Sequence, residues 1–200
     1  MVKIKGALSG LSSKISVSSP FLKDDTVHQL LQQRAEKRSG IFNDSLLDGK
    51  YFTFSYLDFD ITVRYFIDKK TRSMPQTKTI IQTVVKSTMD IKFSIYSNEH
   101  GKKLFSHGME TIQTDNNDFN KKFIVQCTDI SLIQSFLCQE IQEKLLSLAD
   151  DFDYPEINLM KETFSMIAYN CFYSEKEYDD FIDTALLVLK KIRESGIIKE

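Results

Sequence analysis

DGKYFTFSYLDFDITVRYFI, residues 48–67, is the stretch that decides the fold class. Asp48-Gly49 is a strong hairpin turn signal. Tyr51–Leu57 and Ile61–Ile67, which follow it, are dense in aromatic and β-branched residues, the side chains that fit a pleated, half-buried surface. The strand pattern extends outward from here, from Ile41 to Thr128. Lys69 to Pro75 is a polar connection, and Thr77–Lys86 and Ile91–Tyr96 read as two further strands. Asn98 to Lys103 is a turn, Leu104–Thr114 a weaker strand pair, and Lys122–Cys127 the last strand of the block.

Helical patterns flank the strands. Asp24–Arg38 reads as a helix, with Asp24, Asp25 and Thr26 at its amino end, Val27, Leu30, Leu31 and the stem of Arg34 inward, and Gly40 as the stop. Ser131–Ala149 carries one apolar stripe of Ile133, Leu137, Ile141, Leu145 and Leu148, with Phe136 beside it. Ile157–Met160 and Phe164–Phe172 suggest a hairpin. The closing helix opens on a capping box of Ser174 and Glu177, buries Tyr178, Phe181, Ile182, Ala185, Leu189 and Ile192, and ends at Gly196. Strands first and helices later, without βαβ alternation, predict an α+β fold. The expected architecture is an antiparallel sheet, flat or strongly curved, packed against two long helices, with an additional helix near the amino end.

Two hundred residues suit a single domain, expected over 23–200 behind an amino-terminal arm over 1–22. A chain of this length can bury roughly 70% of its unfolded surface, so it needs no covalent or metal staple. No apolar run approaches the roughly 18 residues of a membrane span, and the start of the chain lacks the apolar core of a secretory signal. Cys127, Cys138 and Cys171 are odd in number and show no CxxC spacing. They predict thiols of a reducing, cytoplasmic compartment. The net charge of −2 hides an asymmetry. Residues 150–200 hold 12 acids and 6 bases, a balance of −6, and the remaining 149 residues hold 20 bases and 16 acids, a balance of +4. Neither imbalance reaches the footprint of a dedicated nucleic-acid binder.

Four clusters could carry chemistry. His100 and His107, with Glu99 and Glu110 near them, offer zinc-ligating side chains, but the seven-residue step is not a ligand spacing and each histidine precedes a turn glycine. Asp115 to Asp118 looks like the start of a calcium loop. Phe119, Asn120 and Gln126 then occupy places that need an oxygen ligand, a glycine and a glutamate, so a polar turn before a strand is expected. Asp150, Asp151, Asp153 and Glu156 read as a solvated loop around Pro155. Arg64, Lys69, Lys70, Arg72 and Lys78, with Tyr65, form the best basic-aromatic patch, either a charged hairpin end that protects a sheet edge or a phosphate-binding surface. Neither a metal nor another cofactor is expected. No P-loop, GxSxG, HExxH, dinucleotide fingerprint or Cys-His arrangement is present.

Asp118-Phe119-Asn120-Lys121-Lys122-Phe123-Ile124-Val125, then Asp129, then the Leu-rich helix to Leu148, resembles a prokaryotic family of uncharacterised proteins. Its members show a Phe-Asp-x-x-Phe-x-Val stretch, an Asp soon after, and a helix leading into a short apolar hairpin. Asn120 stands where the family has Asp. The likeness spans residues 45–190 and implies that Phe119 and Phe123 are core anchors beside a strand. Many members carry transmembrane helices ahead of the domain, which this chain lacks. The resemblance implies a fold and no activity.

Together these features predict a non-enzymatic binding or accessory domain whose partner is a protein or small ligand rather than nucleic acid. An enzyme with a site assembled from residues distant in sequence is the alternative. Attachment to a membrane surface through residues 1–21 is a further one, since Ile4, Leu8, Leu11 and Ile15 form an apolar stripe among Lys3, Lys5 and Lys14.

Overall fold

The computed structural model describes residues 20–45, 49–68, 76–86, 90–98, 108–151, 155–169 and 174–198, and the side chains of residues 26–45, 49–66, 77–86, 90–98, 108–149, 155–169 and 174–198. The amino-terminal stripe, Lys69, Lys70, Arg72, His100, His107 and Cys171 lie outside them. The first helix, α1, covers Pro20–Lys37 and so starts four residues before the position expected from its acidic residues. A proline at the first helical position supplies a preset φ and lacks only an N–H that has no helical partner there. Gly40 follows α1 for a reason of contact. A Cβ on it would stand 2.3 Å from the Thr53 carbonyl oxygen, while the left-handed backbone falls on Ser39.

Nine strands follow: β1 Ile41–Ser45, β2 Gly49–Tyr56, β3 Phe59–Asp68, β4 Gln76–Val84, β5 Phe93–Ser97, β6 Glu110–Ile112, β7 Phe123–Cys127, β8 Glu156–Met160 and β9 Thr163–Ala168. They form one open sheet in the order β1-β2-β3-β4-β9-β8-β5-β7-β6, with every pairing antiparallel. The hairpin β8–β9 comes late in the chain yet lies at the centre, where it joins the meander β1–β4 to the group β5, β7 and β6. Two of the tight turns dispense with glycine. Leu57 and Asp58 join β2 to β3, and Lys161 and Glu162 join β8 to β9, all four at positive φ, the backbone that two-residue hairpins of matching twist require.

Two sequence expectations are corrected. The polar stretch before β7 is not a turn but a six-residue helix, α2, Asn117–Lys122. The Asn116 side chain accepts from the Asp118 and Phe119 N–H groups, and this capping makes a helix of residues that read as loop. Ser131–Ala149 is not one helix but two, α3 Ile130–Phe136 and α4 Gln139–Asp151. The chain breaks at Leu137, whose freed carbonyl accepts a 2.8 Å hydrogen bond from the Gln142 amide. All five stripe residues stay buried across the break. Of the expected strand pair over Leu104–Thr114, only β6 lies among the described residues.

The last helix, α5, Glu175–Glu194, begins on the capping box of Ser174 and Glu177 and buries eight side chains. The helices and one face of the sheet share a single core, in which Phe93 meets Phe136 at 4.9 Å between ring centres and Phe119 stacks on Phe123 at 4.8 Å. Leu137 and Phe181, the two residues that define the helical stripes, are both in it. Beside it an ionic cluster ties α1 to α5. Arg34 reaches Glu175 and Asp179, both at 2.5 Å, and Arg38 reaches Asp179 and Asp183, both at 2.8 Å. Cys127 and Cys138 are free thiols, and burial raises the pKa of Cys127. Among the described residues no helix is long and apolar enough to cross a membrane.

Candidate ligand face of the sheet

Side chains alternate along a strand, so each strand that sends Phe, Ile or Val to the helices sends its other residues to the opposite face. Phe52, Phe54, Ile61, Val63, Ile81, Phe93, Ile95, Val125, Ile157, Leu159, Phe164 and Met166 build the helical side. The opposite face follows from the register alone. Thr53 lies beside Thr62, Thr62 beside Gln82, and Gln82 beside Ser165. Ser165 lies beside Asn158, Asn158 beside Ser94, Ser94 beside Gln126, and Gln126 beside Thr111. One transverse row therefore carries an uncharged hydroxyl or amide on each strand from β2 to β6.

The floor of this row is buried. Ser94 is fully enclosed and Gln126 is 8% exposed, while Thr53, Thr62, Gln82, Asn158 and Ser165 are half-buried. Hydrogen bonds link part of the row. Ser94 Oγ donates to Asn158 Oδ1 at 2.6 Å, Asn158 Nδ2 donates to Glu156 Oε1 at 2.8 Å, and Gln126 Nε2 donates to Thr111 Oγ1 at 3.3 Å. The Gln126 carbonyl oxygen is buried and receives no hydrogen bond. An acceptor left in this state costs about 1–3 kcal/mol.

The adjoining row reads Tyr51, Arg64, Ile80, Ile167 and Glu156. One further step of the β5–β8 register brings Tyr96 beside Glu156. Tyr169 donates its hydroxyl to Glu156, and burial followed by this hydrogen bond pushes its pKa far above the ordinary phenol value. Burial, then the charge of Glu156, also raises Tyr96. Glu156 was expected in a solvated loop, but it opens β8 and serves as the acceptor of this network because Tyr169 and, two residues along the same strand, Asn158 present donors to it.

Two residues of the basic patch read from sequence, Arg64 and Lys78, are among the described ones. Arg64 and Lys78 share this face, since Arg64 pairs across the ladder with Ile80 and Lys78 with Phe66. Each stands over a tyrosine, Arg64 at 5.3 Å from the Tyr51 ring centre and Lys78 at 5.2 Å from that of Tyr169. Tyr65, grouped with Arg64 in sequence, points to the opposite side and is buried there. Asp118 pairs with Lys121, whose hydrogen bond and charge lower its pKa. Among the described residues no group of three or more His, Cys, Asp or Glu side chains could hold a metal ion. Sequence reading missed the polar row because its members lie up to 112 positions apart, and only the register of the strands aligns them.

No protein family and no curated protein matches this sequence. In three dimensions the chain is similar to the crystal structure of the mycobacterial trehalose monomycolate transport factor A, TtfA. The TM-score is 0.59 and the identity 8%, over 87% of this chain and 98% of that one. At this identity the likeness is one of fold.

Proposed function

We propose that this domain is a non-catalytic binding or accessory module, and that its ligand seat is the face of the sheet opposite the described helices. The observation that carries the reading is the row of uncharged polar side chains from Thr53 to Thr111, with the unsatisfied Gln126 acceptor in its floor. A solvated sheet face usually mixes charges of both signs, which keep the protein soluble. A continuous neutral row of donors and acceptors is suited to orienting a polar ligand. The fold it shares with a protein named as a transport factor supports an accessory role and says nothing about the ligand. The resemblance to the prokaryotic family belongs to the same reading, supported by the burial of its two expected anchors, Phe119 and Phe123.

The test is amide chemical-shift mapping on the full chain with a panel of monosaccharides, sugar phosphates, nucleosides and dipeptides at millimolar concentration. Shifts gathered on residues 62, 82, 94, 126, 158 and 165, with the probe recovered intact, are expected. Shifts confined to the helices would reject the seat, and conversion of a probe would favour the enzyme alternative.

A further inference from the structure

We propose that Arg64 is an oxyanion anchor on this face, and that the ligand seated there is a small molecule bearing a phosphate or carboxylate beside hydroxyl groups. The inference rests on the reading of the face as a ligand seat and adds the chemistry that it selects.

Arg64 differs from the other described arginines. Arg34 pairs with Glu175 and Asp179, Arg38 with Asp179 and Asp183, and Arg193 with Asp58. Arg64 is half-buried and makes no ion pair with any described residue; like Arg34 it has a buried Nε–H with no acceptor, but it has no carboxylate to offset that. The acids on its own face whose side chains are described are distant and engaged. Asp60 lies four residues along the same strand, roughly 13 Å away, and accepts from Ser55. Glu156 lies three strands across, roughly 14 Å away, and accepts from Tyr169 and Asn158.

A guanidinium is a planar fork of donors matched to the two oxygens of a carboxylate or phosphate. Tyr51 gives this one an aromatic support, which restrains its position before any ligand arrives. Lys78 lies one step along β4 on the same face, over the Tyr169 ring. Thr62 and Gln82 stand in the neighbouring row, where they meet the next few atoms of a ligand anchored at Arg64. Their hydroxyl and amide suit hydroxyl groups, and the row continues through Ser165 and Asn158. The arrangement therefore matches an anionic head followed by a hydroxylated body.

Glucose 6-phosphate, inorganic phosphate and glucose serve as probes, titrated into the full chain while the Arg64 Nε–Hε signal and the amides of residues 62 and 82 are followed. The expected order of affinity is glucose 6-phosphate, then phosphate, then glucose. Arg64→Gln should weaken the sugar phosphate by about tenfold or more, the loss expected of a charge-assisted hydrogen-bond pair. Arg64→Lys, which keeps the charge and loses the fork, should fall between. Arg64→Gln should also leave the melting temperature unchanged or higher, because it removes a buried donor that has no acceptor. An Arg64 signal unmoved by phosphate at tens of millimolar, unchanged affinity in Arg64→Gln, or a large drop in its melting temperature would each overturn the anchor. Ser165→Trp separates the two readings. If it weakens glucose 6-phosphate while Arg64→Gln does not, the seat stands and the anchor fails. If Arg64→Gln abolishes binding while Ser165→Trp has no effect, the anchor stands and the polar row is not its ligand's seat.

Discussion

Replacing Asp179 by alanine tests how α1 is held to the rest of the molecule. Asp179 accepts from Arg34 at 2.5 Å, Lys37 at 2.7 Å and Arg38 at 2.8 Å. Arg34 is 4% exposed, and its Nε already lacks an acceptor. Without Asp179 the guanidinium keeps Glu175 alone, a carboxylate whose side chain is 60% exposed. Breaking a buried pair from one side costs about 3–5 kcal/mol, because the remaining charge stays desolvated. Asp179 is itself 17% exposed, which places the expected loss near the low end, about 3 kcal/mol. In a chain of this size that lowers the melting temperature by about 6–12 °C. Urea denaturation followed by circular dichroism measures it. The double replacement Arg34→Met with Asp179→Leu should recover all but about 1 kcal/mol, since two apolar side chains suit the same site. The effect should also fade in acid. Burial opposes the Asp179 charge, but hydrogen bonds from Lys37 and Arg38 and the charges of Arg38 and Arg34 outweigh it and lower the pKa. The stabilisation is therefore complete above the ordinary aspartate pKa of about 4 and is lost as pH falls through the folded value. A loss below about 0.5 kcal/mol for Asp179→Ala at neutral pH would refute the reasoning, by showing that Arg34 rehydrates at little cost.

Phe181→Ala should destabilise the protein by about 3–5 kcal/mol in the same assay, because the ring, carried by α5, is fully buried in the core. Gly40→Ala should cost about 1–3 kcal/mol by thermal melting, since the new methyl meets the Thr53 carbonyl in a backbone that cannot easily recede. Alkaline titration followed by tyrosinate absorbance should show Tyr96 and Tyr169 ionising above the ordinary phenol range, and Tyr169→Phe should remove one such late transition. Because both folded values are raised, their contribution to stability is complete below about pH 10 and is lost as pH rises toward those values.

Much of the fold is legible in the sequence because its signals are local. The hairpin strands after Asp48-Gly49 depend on turn chemistry and residue type within a few positions, and so does the capping box at Ser174 and Glu177. The stripe from Ile133 to Leu148 buries the residues that its spacing selects, even though the helix breaks within it. That break is less legible, because the Gln142 amide that satisfies the Leu137 carbonyl acts through a side-chain geometry that spacing does not encode. The helix at Asn117–Lys122 is hidden for a similar reason, since asparagine and aspartate serve turns and caps alike.

The sequence by itself determines which residues must leave water: two-residue alternation and helical stripes select the core, and that in turn sets the α+β class. The tertiary structure alone decides the strand order, with the late hairpin β8–β9 inserted beside β4 and β5. It also decides the register that sets Thr62 beside Gln82 and Asn158 beside Ser94. The physical reason is one of range. Apolar periodicity states which face of a strand is buried, whereas the neighbour of that strand is chosen by packing across the whole sheet. The candidate ligand face is made of the residues the core does not claim, and its order exists only once every strand has found its partner.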